Sequence, residues 1–182
     1  MKAIFDCCCP AKEEVLVSAK HILRLLVIFS SLLVSCASEF HGPVADVVVS
    51  DAYQISFKYV GMGYKWGGQD FWYTEEGTVD CSGLAINIYK EACELHGYKL
   101  PFEDTTTSDL HYRYTIPVSD PSPGDLIFMG DDGQVSHVAI FHRYVEDRIE
   151  FLDAYSISAL VGIRQYPASD TRFISFGRMI KK

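Results

Sequence analysis

The sequence has no CxxC or HxxxH spacing, no internal repeat, no low-complexity tract and no proline-rich linker. The first absence removes the usual zinc frameworks; the others leave no hinge at which to divide the chain. Positive charge is short: 16 Lys and Arg stand against 24 Asp and Glu, a net −8. The basic footprint that phosphate neutralisation needs is therefore missing, which argues against nucleic acid as a partner. Long apolar runs are also missing. The uncharged stretch 25–35 (LLVIFSSLLVS) holds eleven residues, whereas a bilayer span takes about 20. What is present is ordinary: 182 residues, 48% apolar and 22% charged. That composition excludes collagen-like, coiled-coil and disordered classes and leaves room for one domain.

The stretch 25–35 follows Lys20, His21 and Arg24 and suits the h-region of a secretory signal. A buried core helix is the alternative, but the stretch shows no polar face. Leu33-Val34-Ser35-Cys36 comes next and resembles the bacterial lipoprotein signal. That resemblance implies lipidation of Cys36, export to a cell-envelope membrane where the N-terminal lipid holds the chain, and boundaries at 1–35 (signal), 36–42 (tether) and 43–182 (domain); a monomer is expected. Acyl chains contribute about 0.8 kcal/mol per buried CH₂, so two or more anchor stably. Asp6, Glu13 and Glu14 are atypical ahead of an h-region, which favours a translation start near 15–17. Cys7, Cys8 and Cys9 are adjacent and cannot all point at one ion.

Six cysteines suggest a disulfide framework until their positions are considered. Cys81 and Cys93 fall twelve residues apart on one predicted helix, roughly 18 Å at 1.5 Å per residue. A disulfide needs Cα atoms within about 7 Å. Both are expected as free thiols.

Residues 43–61 read as an opening helix with Pro43 in its first turn. A glycine- and aromatic-rich loop covers 63–78. A second helix begins at Asp80, with Leu84, Ile88 and Leu95 on its apolar face, Lys90, Glu91 and Glu94 facing water, and Gly97 closing it. The stretch 100–124 is irregular apart from a short helical candidate near 107–112. Strands follow at 125–130, 136–144, 148–155, 159–166 and 172–179, the first two joined by Asp131-Asp132-Gly133. Helices first and strands afterwards predict an α+β fold, with N-terminal helices packed on an antiparallel sheet.

Val79-Asp80-Cys81-Ser82-Gly83-Leu84 places a cysteine in the first turn of a helix, where unpaired backbone N–H groups favour thiolate. A thiolate that cleaves amides needs a proton shuttle, and His137, opening a strand, is the candidate. Taken singly, each is more often a structural residue than a catalytic one. His142, His96 and His111 read as surface or packing residues. A zinc site from Cys81, His137 and Asp153 has the ligand types but not the spacing, and no cofactor is expected.

Three blocks in order are Tyr64-Lys65-Trp66-Gly67-Gly68, then Val79 to Leu84, then Pro123-Gly124-Asp125-Leu126-Ile127-Phe128 leading to Ser136-His137-Val138-Ala139-Ile140-Phe141. Together they resemble the NlpC-type cell-wall cysteine endopeptidases, a papain-like family that cleaves peptidoglycan stem peptides. The resemblance implies Cys81 as nucleophile, His137 as base and then acid, and Tyr64 beside the oxyanion. It also implies Asp80 and Ser82 at the subsite reading the substrate amine, with Ser136 as a further substrate contact. Tyr64 could instead pack under its loop, and Asp80 could cap the helix. The expected bond joins D-glutamate to the diamino acid. Two alternatives are a catalytically silent wall-binding lipoprotein and an amidase or acyltransferase on the same fold.

The family usually orients its histidine with His, Asn or Gln. Here the corresponding block, Phe151 to Ser156, offers Asp153, which can accept from imidazole N–H and raise the histidine pKa. A turn centred on Glu146-Asp147 pairs His137 with Ser156 and Asp153 with Ile140. In that register Asp153 needs a twist or bulge to reach His137, and Tyr155 or Ser156 could serve instead.

Overall fold

The computed structural model describes residues 41–70 and 76–182. Among them, strand β1 (Gly42–Pro43) precedes helix α1 (Asp46–Ser56), which runs into a 3₁₀ turn at Phe57–Tyr59. Short strands β2 (Gly63–Tyr64) and β3 (Thr78–Val79) flank the aromatic loop. Helix α2 (Cys81–Glu94), helix α3 (Thr107–Arg113) and strand β4 (Thr115–Val118) follow. The chain ends in β5 (Leu126–Asp131), β6 (Gln134–Val145), β7 (Arg148–Tyr155), β8 (Leu160–Pro167) and β9 (Phe173–Lys181).

The sheet order is β1-β9-β5-β6-β7-β8-β2-β3, with β4 also on β9. The fold is the expected α+β type, with one correction. β2 and β3 pair in parallel, so the sheet is mixed rather than wholly antiparallel. Pro43 pairs with Ile180 and does not open a helix; α1 starts three residues later. Gly42, assigned to the tether, pairs with Lys181.

Every residue from Leu126 to Gly130 in β5 is buried, because both faces of the sheet are covered. One face, with Leu126, Phe128, Val138, Ile140, Leu152 and Ala154, receives α1 and α2 through Val48, Ala52, Leu84 and Ile88. The other carries a smaller cluster of Ile127, Met129, Ala139, Phe141, Ile149 and Phe151, closed by Tyr166, Phe173 and Phe176. Asp132 and Gly133 both take positive φ between β5 and β6, as a two-residue hairpin turn requires.

The polar face expected for α2 needs amending. Glu91 is buried and ion-paired with Lys58, while Leu95 is 65% exposed at the helix end. Gly97 takes φ +70 and Tyr98 N–H closes on Cys93 O, so the helix stops as expected. Of the two readings for His142, packing holds: it is buried, its ring against Tyr53 and Phe57. No described helix is long and apolar enough to cross a membrane. Residues 1–35, with Cys7–Cys9, and Cys36, the expected lipid acceptor, lie outside the described residues.

Candidate active site

The first two sequence blocks fit each other through glycines. A Cβ on Gly83 would stand 2.4 Å from Gly68 O, so helix α2 and the WGG loop can touch only without side chains there. Asp80 fastens the contact: Oδ1 accepts from Gly83 N–H (2.7 Å) and Ser82 Oγ (2.9 Å), Oδ2 from Gly67 N–H (3.0 Å). The capping role is therefore realised, and it holds Cys81 in the first turn of α2. The third block is scaffold at its start. Asp125 is fully buried and holds Arg178 through both oxygens, at 2.9 and 3.0 Å.

The register between β6 and β7 decides the third member. Phe141 pairs with Phe151, but Arg143 pairs with Glu150, so His142 is an extra residue in β6. That bulge shifts the pairing by one: Ile140 faces Leu152, not Asp153. Because side chains alternate, the slip moves Asp153 onto the face of His137. Their contact is direct, with His137 Nε2 donating to Asp153 Oδ2 at 2.7 Å. Tyr155 instead lays its ring edge-on near the imidazole.

With Nε2 given to Asp153, the other ring nitrogen is left for the hydrogen bond between His137 and Cys81. Burial pushes the Cys81 thiol up, but the His137 hydrogen bond and charge, with Thr107 assisting, bring it below its usual value. Burial likewise disfavours imidazolium, yet the bonds to Asp153 and Cys81 raise His137 to about 9. Both shifts favour the thiolate–imidazolium form of the pair over the neutral one. Cys93 shows the contrast: buried without such partners, it is pushed up to about 11. Cys81 and Cys93 are both free, as the spacing predicts.

Tyr64 lies close enough for the Cys81 and Asp80 charges to raise its phenol, after burial does so. Ser136 is exposed at the edge of a cleft of about 130 Å³ that also takes in His137, Asp153, Tyr155, Tyr166 and Arg172. The sequence blocks thus bring Cys81, His137, Asp153 and Tyr64 into one neighbourhood. Ser82 is turned onto Asp80.

Two members carry no sequence signal. Thr107, the first residue of α3, places Oγ1 3.5 Å from Cys81 Sγ. Arg164 on β8 is ion-paired with Asp153 Oδ1. Neither lies in a motif; each reaches the site through the packing of a separate element. Among the described residues no group of three or more His, Cys, Asp or Glu could hold a metal ion.

The model of the NlpC/P60 family matches residues 61–169. Protein P54 of Enterococcus faecium is 35% identical over 95 residues, which is 51% of this chain and 15% of that protein. The probable endopeptidase p60 of Listeria monocytogenes is 34% identical over 86 residues, 46% of this chain and 15% of its own. The matched region thus spans about a seventh of the length of these relatives. Among solved structures, NlpC1 from Trichomonas vaginalis superposes with a TM-score of 0.54 at 19% identity, covering 80% of this chain and 49% of that one.

Proposed function

The chain belongs to the NlpC/P60 family, and from that premise we propose that it is a cysteine hydrolase cutting amide bonds of peptidoglycan stem peptides, between D-glutamate and the diamino acid. The observation that carries this reading is one imidazole held between Cys81 and Asp153, with the thiol drawn down and the imidazole drawn up. The naming of a relative as an endopeptidase supports the reaction class.

Cys81 Sγ attacks the scissile carbonyl carbon, and the carbonyl π pair moves to oxygen. The backbone N–H of Cys81 and the Tyr64 phenol receive that oxyanion. On collapse, His137 passes its proton to the leaving amine, leaving a thioester on Cys81. Neutral His137 then takes a proton from water, which attacks the thioester and frees the acid and the thiolate. Asp153 holds the ring tautomer throughout. Asp80, Ser82 and Ser136 are proposed to contact substrate, and Cys36 to carry the lipid that keeps the enzyme at the cell envelope.

Incubation of the full chain with purified muropeptides, beside Cys81→Ala, tests the proposal by mass spectrometry. New amide-cleavage fragments are expected from the wild type and none from the variant. Fragments from both would overturn the nucleophile assignment. Fragments from neither would overturn the hydrolase reading in favour of a silent wall-binding protein.

A further inference from the structure

Asp153 is 2% exposed and meets a donor on each oxygen: His137 on Oδ2, Arg164 on Oδ1. Arg164 Nη1 also reaches Asp153 O at 3.3 Å and Gly162 O at 3.1 Å. Its Nη2 bonds Ser158 Oγ at 2.5 Å and Leu160 O at 3.3 Å, and the guanidinium lies over the Tyr155 ring, 4.9 Å from its centroid. One side chain therefore grips both strands and the turn between β7 and β8.

That turn has a second duty. Ala159 within it takes φ +56, a conformation costly for a side-chain-bearing residue. Its carbonyl accepts the backbone N–H of Tyr64 at 2.8 Å, and Leu160 pairs with Gly63. The strand carrying Tyr64 is thus hung on a turn that Arg164 fastens.

We propose that Arg164 is a positioning residue for the Cys81 centre, holding Asp153 against His137 and, through the β7–β8 turn, setting where Tyr64 stands. The inference rests on the hydrolase reading for its consequence in turnover, though not for its consequence on Cys81 itself. It also explains why the third position is an aspartate. A carboxylate can accept from two donors on opposite sides, whereas an amide has one accepting oxygen. Asn at 153 would give that oxygen to the charged guanidinium and turn its NH₂ toward His137. An NH₂ donated to Nε2 favours the neutral ring and so works against the thiolate. Removing Arg164 as well frees the amide to turn its oxygen back to His137.

The test uses the full chain with Arg164→Met, Arg164→Lys, Asp153→Asn and the double variant Asp153→Asn/Arg164→Met. Two readouts are taken: muropeptide kcat and KM, and the rate of Cys81 alkylation by iodoacetamide at neutral pH. Arg164→Met is expected to lower kcat about 10- to 100-fold with KM within about twofold, the scale of a small misplacement of reacting groups. The double variant is expected to exceed Asp153→Asn in both kcat and alkylation rate, a reversal that a merely structural arginine does not produce. Should Arg164→Met fail to fold, Arg164→Lys carries the claim. Its single ammonium can hold Asp153 but not also the turn, so kcat is expected to fall clearly below wild type, by up to about tenfold. Wild-type kcat in a folded Arg164→Met or in Arg164→Lys overturns the proposal, as does a double variant no better than Asp153→Asn. If wild type cleaves nothing, the hydrolase reading falls, and the alkylation rates alone decide for or against Arg164.

Discussion

Thr107 Oγ1 sits 3.5 Å from Cys81 Sγ, bringing the start of α3, which carries no sequence motif, to the thiol. Thr107 is 8% exposed, so its hydroxyl has little water to turn to. A hydrogen bond to a charged group contributes about 1.5–3 kcal/mol, and its hydroxyl helps lower the Cys81 pKa. Thr107→Val is expected to move the pH midpoint of Cys81 alkylation upward, with Thr107→Ser close to wild type. An unchanged midpoint in Thr107→Val would remove the hydroxyl from the centre.

On the proposed mechanism, the state of His137 sets the alkaline limit of turnover. The competent pair is thiolate with imidazolium, so activity should rise as Cys81 ionises and fall as His137 loses its proton near 9. These two limbs belong to the coupled pair. Asp153 is the largest favourable influence on His137, opposing burial. In Asp153→Asn the imidazolium loses that support, and the alkaline limb is expected to move to lower pH, with reduced activity at its maximum. A pH–rate profile of kcat/KM checks both; an alkaline limb unmoved by the substitution would separate Asp153 from the titration.

Asp125 and Arg178 make a prediction about stability instead of chemistry. Asp125 is fully buried, accepts both guanidinium contacts and also receives Ser122 N–H at 2.8 Å. Removing one partner strands a buried charge, which costs about 3–5 kcal/mol. Arg178→Leu should therefore lower stability by that amount in urea unfolding. Asp125→Leu/Arg178→Leu should lose clearly less than the sum of its two single variants. Strict additivity would show that the pair is not coupled.

The elements most legible in the sequence were those fixed by local rules. The helix start at Asp80-Cys81 and the hairpin at Asp132-Gly133 depend on neighbours within a few residues, and both formed where the pattern placed them. Periodicity likewise put Leu84 and Ile88 in the core. Features that depend on distant elements were less legible. Glu91 looks solvent-facing by helical spacing, yet it is buried and paired with Lys58 from the distant 3₁₀ turn. The turn between β6 and β7 predicts a regular register, and the extra residue His142 displaces it by one. Asp153 could be named as a candidate, but the bulge that brings it to His137 could not be located. Arg164 and Thr107 act at the site through strand pairing and helix packing, so no spacing announces them.

His142 should leave its own mark on acid stability. Its ring is 1% exposed, edge-on to Tyr53 and tilted against Phe57, with Nε2 3.3 Å from Ser56 Oγ. Burial lowers its pKa to about 4; Glu150 opposes that shift and Arg143 adds to it. In the unfolded chain the same ring takes up a proton near its ordinary value of about 6.5. Between those two values the unfolded state binds more protons than the folded one, so stability rises with pH through that window. Read downward, the contribution is intact above about 6.5 and is lost progressively as the pH falls toward 4. Urea midpoints for wild type and His142→Leu at pH 7.5, 5.5 and 4.5 separate this effect from the carboxylates and other histidines, which both chains share. The stability difference between the two proteins should shrink or reverse as the pH is lowered. A difference that stays constant across the three pH values would mean that this ring does not titrate on unfolding.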